Sequence, residues 1–319
     1  MAKISVIIPT FNRPVLLRRA IQSVIDQTYK DWELIVIDNG KNPQTRAVVE
    51  EMGSGSFLIR YESERKIGVS ATRNKGIRMT QGEYVAFLDD DDVWFPEKLE
   101  DQIRVMKQRP ELAFVSSAMK VIDEAGVVGA RKPVLIPSVT DFRSLLENNY
   151  LVVSNVLVKR AILDEIGFFD EELLVGCEDY DLWLRIAECY SFAMLENVGG
   201  LYQVHANQMS QNIENIYRNK IAVYSKVLAR TKSPDVIKEI KSLLAKAYYK
   251  LGTECKDKSN YVKAKESYRA AIKYNRLVGL EFYLKENPQK RGVFGGVVAT
   301  VKPFVAYAMC SLKAGRNGH

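Results

Sequence analysis

Four consecutive carboxylates, Asp89, Asp90, Asp91 and Asp92, directly follow an apolar run that ends in Phe87 and Leu88. Like charges at this spacing repel, and each ionised neighbour raises the pKa of the others, so a compensating cation is the natural partner. All-oxygen ligands favour Mg²⁺ or Mn²⁺, ions that can share their coordination with a substrate diphosphate. The same residues would also suit the positive end of a helix, because Pro96 signals a helix soon afterwards. A second acidic pair, Glu178 and Asp179, opens a stretch in which Leu182, Trp183 and Ile186 share one helical face. A carboxylate held there, partly withdrawn from water, suits a general base for a hydroxyl; a helix N-cap is the plain structural alternative. His205 is one of two histidines, the other being the terminal His319. A lone histidine serves structure as readily as ligation.

Such residues need elements that hold them at one edge. From residue 4 the chain alternates β-branched runs with helical stretches: 4–9, 32–38, 57–61 and 84–89 read as strands. Residues 15–27, 44–52, 68–79 and 96–108 read as helices, the last with Pro96 in its first turn. This series predicts an α/β fold with a Rossmann-like, mostly parallel sheet flanked by helices, which binds ligands beyond the carboxyl ends of its strands. Thr10, Asn12, Asp38 and the aspartate run all fall at such ends, a coincidence that core packing does not produce. Beyond residue 111 the pattern is mixed, with strands over 112–122, 152–158 and 200–204 and helices over 141–148 and 180–189.

The run Ile4 to Arg13 with Pro9, Thr10, Phe11 and Asn12, the strand end at Asp38, the segment 68–76 with Arg73 and Asn74, the aspartates, the pair Glu178 and Asp179, and His205 resemble a family 2 glycosyltransferase in order and spacing. The resemblance covers residues 3 to about 210 and implies a GT-A type domain joining a nucleotide-binding half to an acceptor half. It implies metal-dependent, inverting transfer of a sugar from a nucleoside-diphosphate donor to a hydroxyl of a glycan or lipid-linked acceptor, as in bacterial-type cell-surface polysaccharide synthesis. By the same resemblance, Pro9, Thr10, Asn12 and Arg13 line the nucleoside pocket and Asp38 accepts from the ring N–H of the base. Arg73 lies near the base or diphosphate, and Asp89 and Asp90 lie close to the ribose or sugar. Asp91 ligates Mn²⁺ or Mg²⁺, His205 contacts the metal or diphosphate, and Asp179 is the catalytic base with Glu178 beside it. Where many members carry a second Asp and then Ser after the first, this chain has Asn39, Gly40 and Lys41. Uracil is the expected base, with thymine next. Two rival classes fit less well: a sugar nucleotidyltransferase needs a Gly-rich, basic loop over a triphosphate after the first strand, which Pro9 to Arg13 does not supply. A non-catalytic helical adaptor has no use for Asp91, Asp179 and His205.

The rest of the chain differs in character. Residues 1–210 hold 24 Lys and Arg against 31 Asp and Glu, a net −7, whereas residues 211–319 hold 22 against 8, a net +14. Such a basic region suits an anionic partner, an anionic membrane surface included, or is a set of solvated Lys-rich helix faces. With a nucleotide-sugar site, no nucleic acid is expected. Residues 211–290 read as helical, and 245–278 as helix, turn, helix with Tyr248, Leu251, Gly252, Ala264, Tyr268 and Ala271 at tetratricopeptide spacing, although Arg276 stands where that repeat often has Pro. One unit cannot bury its own apolar face, so it requires neighbouring helices, a protein partner or self-association. The tail 291–319 is apolar and basic; its stretch 293–312 has the length of a bilayer span, but Lys302 and Pro303 near the centre argue against a clean span and favour an interfacial or re-entrant membrane contact, with a buried helix as the alternative. Four cysteines without a CxxC pair, and an N-terminus without a signal pattern, point to a reducing, cytoplasmic location, at most peripheral at the inner face of the cell membrane.

Overall fold

Strands β1 (Ile4–Thr10) and β2 (Trp32–Asp38) are buried along their whole length, as strands covered on both faces must be, which is why both read as continuous apolar runs. They pair in parallel with Thr10 opposite Asp38. β3 (Ile59–Ser63) adds in parallel to the far side of β2, and β4 (Tyr84–Phe87) in parallel to the far side of β1. The chain therefore moves outward through β2 and β3, then returns past β1 to β4. That reversal leaves a crevice at the carboxyl ends of β1 and β4, the switch point at which open α/β sheets bind ligands.

The structure is a computed structural model that describes residues 3–40, 42–55, 57–66, 68–123, 140–173, 176–204 and 212–275. It divides into two units, one of residues 1–174 and 178–208, the other of residues 175–177 and 209–319. In the first unit the sheet continues past β4 through β7 (Val156–Lys159), β6 (Leu112–Ile122), β8 (Ser191–Gln203) and β5 (Val93–Trp94). β7 runs antiparallel to both neighbours, β8 parallel to β6, and β5 antiparallel to β8. The sheet is parallel-dominated, as expected, with its reversal at the start of the second half.

Two helices matter most for the crevice. α3 (Val69–Met79) buries the polar residues Ser70, Thr72, Arg73 and Asn74 together with Ala71 and Ile77. It can do so because Gly76 lies directly on β1: a Cβ there would stand 2.6 Å from Cγ2 of Ile7. α7 (Glu178–Ala187) is anchored by the buried Trp183, whose ring lies 5.3 Å from Phe114, 6.3 Å from Phe169 and 6.4 Å from Phe87. That packing fixes the first turn of α7, and with it Glu178 and Asp179. The remaining helices of this unit are α1 (Pro14–Ile25), α2 (Pro43–Met52), α4 (Lys98–Gln108), α5 (Phe142–Glu147) and α6 (Arg160–Ile166).

Several boundaries depart from the sequence pattern for visible reasons. β3 begins at Ile59 rather than 57, since Phe57 stacks on Trp32 at 5.0 Å. Pro96 sits in a turn ahead of α4, whose N-cap is Glu97. The stretch 152–158 opens with a buried 3₁₀ turn, Val153–Asn155, before β7. β8 is 13 residues long where only 200–204 shows a strand pattern, because Glu196, Asn197, Gly199 and Gly200 interrupt its apolar residues.

The second unit consists of α8 (Ile213–Arg230), α9 (Pro234–Asp257) and α10 (Tyr261–Tyr274). Asn212, Ser233 and Asn260 cap them, each side chain accepting a backbone N–H three residues on. Leu251, Cys255, Ala264 and Tyr268 form a small core. The helix, turn, helix pattern of 245–278 corresponds to α9 and α10, with the first helix extended back to its Ser233 cap and Pro234. Arg276 and the tail 291–319 lie outside the described residues. No helix among the described residues is long and apolar enough to cross a membrane.

Candidate active site

The loop after β1 is held in an unusual conformation. Asn12 has φ of 56°, a left-handed geometry that costs a non-glycine residue free energy and marks constrained functional loops. Its Oδ1 accepts the Asn42 N–H at 3.0 Å. Gly40 makes that approach feasible, because a Cβ there would stand 2.4 Å from Asn12 Oδ1. Pro9 lies buried within β1 opposite Ile37, directly beneath this loop.

At the neighbouring strand end, Asp38 is buried, accepting from the Gly40 N–H at 2.7 Å and from the Tyr61 hydroxyl at 2.9 Å. Burial, reinforced by Asp38, pushes the Tyr61 phenol up to about 12. Each Asp38 oxygen retains a further acceptor site. Asn39 serves the fold: its Nδ2 donates to the carbonyls of Glu64 and Lys66 at 2.9 Å, and its Oδ1 accepts the Gly68 N–H at 3.2 Å. It stitches the end of β2 to the segment that enters α3.

The four aspartates differ in their partners, although Asp90 and Asp91 share Arg13. Asp89 accepts from Nη2 of Arg73 at 2.6 Å, while its N–H donates to Oγ of Ser154 at 3.0 Å. Asp90 accepts from Thr10 Oγ1 at 2.7 Å and from Arg13 Nη1 at 3.2 Å. Burial pushes its carboxyl up to about 6, against the pull of Thr10 and Arg13. Asp91 accepts from the same Arg13 nitrogen at 2.9 Å. Asp92 points inward, accepts the Gln203 N–H at 3.0 Å, and is raised well above the usual carboxylate range by burial and then by Asp91 and Asp89. The cations that the run demands are thus in part the chain's own, Arg13 and Arg73.

Arg73 is only 3% exposed and spans the crevice floor, with Nη1 2.5 Å from Glu178 and Nη2 on Asp89. Burial pulls against its charge, but Asp89 and Glu178 outweigh that and raise it above the usual guanidinium range. It therefore acts on the site through the two carboxylates it holds. Asp179 is crowded by protein on most sides yet keeps part of its surface accessible, and it accepts the Tyr180 N–H at 2.7 Å. Burial, and then the charge of Glu178, push its carboxyl up to about 7, with Arg73 opposing. Asn74, next to Arg73, clamps the segment leading to α7 with both ends of its amide: it donates to the Phe169 carbonyl and to Glu171, and accepts the Phe169 N–H.

The geometry thus gathers Thr10, Asn12, Arg13, Asp38, Asp89, Asp90 and Asp91 at the strand ends and joins them, through Arg73, to Glu178 and Asp179. His205 lies outside the described residues. Among the described residues no three His, Cys, Asp or Glu side chains converge as a ready-made metal cage. The donor set fits a divalent ion held by one carboxylate, Asp91, and otherwise by substrate oxygens, the usual manner of Mg²⁺ at diphosphates. Tyr61 and Ser154 have no signal in the sequence; neither carries a motif, and their partners lie 23 and 65 residues away.

Comparison with known proteins places the chain in a class. Residues 5–167, about half of it, match the family Glycosyl transferase family 2, and the chain belongs to that family. Over 212 residues it is 30% identical to the Escherichia coli UDP-Glc:alpha-D-GlcNAc-diphosphoundecaprenol beta-1,3-glucosyltransferase WfgD, a match that covers 66% of this chain and 80% of that one. Among solved structures it resembles residues 1–349 of S. aureus TarS in complex with UDP-GlcNAc, with a TM-score of 0.67, 16% identity, and 99% and 92% of the two chains covered. It also resembles the mannosyltransferase PcManGT from Pyrobaculum calidifontis in complex with GDP-Man and Mn²⁺, with a TM-score of 0.60, 17% identity, and 98% and 87% covered. The fold is the GT-A type, and the chain is a glycosyltransferase.

Proposed function

We propose that this glycosyltransferase moves a sugar from a nucleoside-diphosphate donor, a UDP-sugar first, to a hydroxyl of a glycan or lipid-linked acceptor in cell-surface polysaccharide synthesis, with inversion at the anomeric carbon. The observation that carries this reading is Asp179: a partly accessible carboxyl raised to about 7, held on the first turn of α7 and linked through Glu178 and Arg73 to the acidic strand end. A base poised near neutrality serves proton transfer best. Asp179 takes the proton of the acceptor hydroxyl, whose oxygen attacks the anomeric carbon in line as the bond to the diphosphate breaks. The diphosphate leaves with the electron pair, and a single displacement inverts the configuration.

Thr10, Asn12 and Asp38 form the nucleoside end, with Pro9 beneath them, and Asp89 and Asp90 the ribose and sugar end. Arg13, expected at the nucleoside, pairs with Asp90 and Asp91 and is therefore read as facing the diphosphate with Asp91; Asp91, with His205, would hold Mn²⁺ or Mg²⁺. Such an ion, when bound, supplies charge stabilisation to the departing diphosphate. The sugar nucleotide in WfgD's name, the UDP-GlcNAc bound by TarS and the Mn²⁺ in PcManGT support the donor and ion. The net +14 of residues 211–319 supports a cytoplasmic enzyme that meets an anionic membrane face carrying its acceptor. The helical unit, with its tetratricopeptide-like spacing, is the surface for a protein partner or self-association.

The decisive experiment incubates the full chain with UDP-, dTDP- and GDP-sugars, with and without Mn²⁺, and measures release of nucleoside diphosphate. Release from a UDP-sugar that requires the ion is expected. Asp179→Asn should still bind UDP while turnover falls on the order of 10²- to 10⁴-fold; substantial residual turnover sinks the assignment of the base.

A further inference from the structure

Arg13 occupies a position at which helix formation does not favour it. It is the N-cap of α1, makes no capping hydrogen bond, and sets a cation at the positive end of the helix, where Ser, Asp or Asn is preferred. A local choice that breaks the rule without a local gain marks a functional residue. What holds the guanidinium is the acidic run, with Nη1 2.9 Å from Asp91 Oδ2 and 3.2 Å from Asp90 Oδ1. Its side chain is 40% exposed, against 7% for Asp90 and 11% for Asp91. Arg13 therefore closes the pair from the solvent side and can leave without unpacking the core.

We propose that Arg13 is a placeholder cation: without donor it neutralises Asp90 and Asp91 and competes with a divalent ion for Asp91, and the donor diphosphate draws it away. Cation binding and nucleotide binding are thereby coupled. The proposal rests on the reading of Asp91 as the ion's ligand. A guanidinium in hydrogen-bond contact with the Asp91 oxygen repels any cation arriving at that oxygen. A diphosphate carries more charge than one carboxylate and matches the planar fork of Arg, so it is the better partner once it arrives. A site that is open only part of the time binds its ligand more weakly by that fraction; for an ion pair this exposed the expected factor is about fivefold.

The test uses the full chain, follows bound Mn²⁺ by the electron paramagnetic resonance signal of the free ion, and measures UDP binding separately by calorimetry in EDTA. Arg13→Gln should bind Mn²⁺ about fivefold more tightly in the absence of nucleotide and bind UDP more weakly. A merely structural role would weaken both. Arg13→Lys should move both affinities in the same directions by less. Arg18→Gln, which removes an equal charge from α1 where Arg18 pairs with Glu51, should leave Mn²⁺ affinity unchanged. Asp91→Asn should abolish Mn²⁺ binding in either background. If wild type binds Mn²⁺ but neither Arg13 variant binds it more tightly, or Arg18→Gln tightens it equally, the placeholder is overturned and the metal reading stands. If wild type binds no Mn²⁺ with or without UDP, beyond what UDP alone retains, both are overturned.

Discussion

Arg73 and Arg13 each bridge two carboxylates of the same crevice, one from below and one from above. Arg73 is 3% exposed, hangs from a helix pressed onto β1, holds Asp89, and reaches Glu178 across 105 residues of chain. Arg13 is 40% exposed, sits on a short loop, and ties Asp90 to Asp91. Identical chemistry therefore has different consequences. A buried guanidinium that has lost its water cannot leave its carboxylates without stranding charges, so it is framework. A solvated one loses little by leaving and can be exchanged for another cation or drawn to another anion.

The sharpest way to break this contrast is to remove Arg73. Arg73→Met leaves Glu178 and Asp89 facing each other without a cation, and we expect a loss of about 3–5 kcal/mol of stability at neutral pH, read from the urea midpoint. Arg73→Lys should recover only part, because a point charge on a flexible stem cannot hold two carboxylates with two separate nitrogens. Full recovery with Lys, or a loss no larger than at an exposed pair, would remove Arg73 from the framework.

Much of the crevice is legible in the sequence, and the boundary of legibility is physical. Thr10, Asp38 and the aspartates stand out because strand periodicity alone places them at carboxyl ends, and in parallel strands such ends converge. Asp179 stands out because the apolar spacing of Leu182, Trp183 and Ile186 fixes which turn of α7 opens the helix. The partners of Arg73 do not, since no periodicity relates α3 to the start of α7. Nor do the reasons for Asn39 and Gly40: Asn39 ties the end of β2 to the segment between β3 and α3, and Gly40 lets the loop after β1 come close to the loop after β2. The aspartate run does demand a cation, but local sequence cannot show that two arginines already answer part of that demand. In the helical unit the helix, turn, helix pattern of 245–278 is legible, whereas that spacing does not mark the start of α9 at Pro234, although Ser233 and Pro234 are standard start signals.

A smaller effect, on chemistry rather than folding, tests what the buried clamp does for the base. Burial and then Glu178 raise Asp179 to about 7, while Arg73 lowers it. Since the base must be ionised, kcat/KM should rise with pH through about 7 and then level. Glu178→Gln removes the neighbouring negative charge and leaves Arg73 less neutralised, and both changes lower the Asp179 pKa. The rising limb should move to lower pH by roughly one pH unit. An unmoved limb would separate Asp179 from the Arg73 and Glu178 framework.

The smallest effect is expected at the exposed clamp, and its pH dependence identifies the group that feels it. Asp90 has a folded-state pKa of about 6, above the ordinary 3.8, chiefly through burial, and Arg13 opposes that rise. With Gln at position 13 the Asp90 pKa should climb further. Below about pH 5 Asp90 is protonated in the folded state of either protein, so its part of the Arg13 interaction contributes little. Above about pH 7 wild-type Asp90 is ionised, and loss of the guanidinium is felt either as an uncompensated charge or as the uptake of a proton. The stability difference between wild type and Arg13→Gln should therefore widen between about pH 5 and pH 8, yet stay under about 1 kcal/mol because the partner is solvated. Thermal unfolding across that range measures it. A difference that does not change with pH would mean that Asp90 is not the group Arg13 serves. A loss as large as that at Arg73 would make Arg13 framework too, and an arginine that the fold needs in place could not step aside for a metal ion.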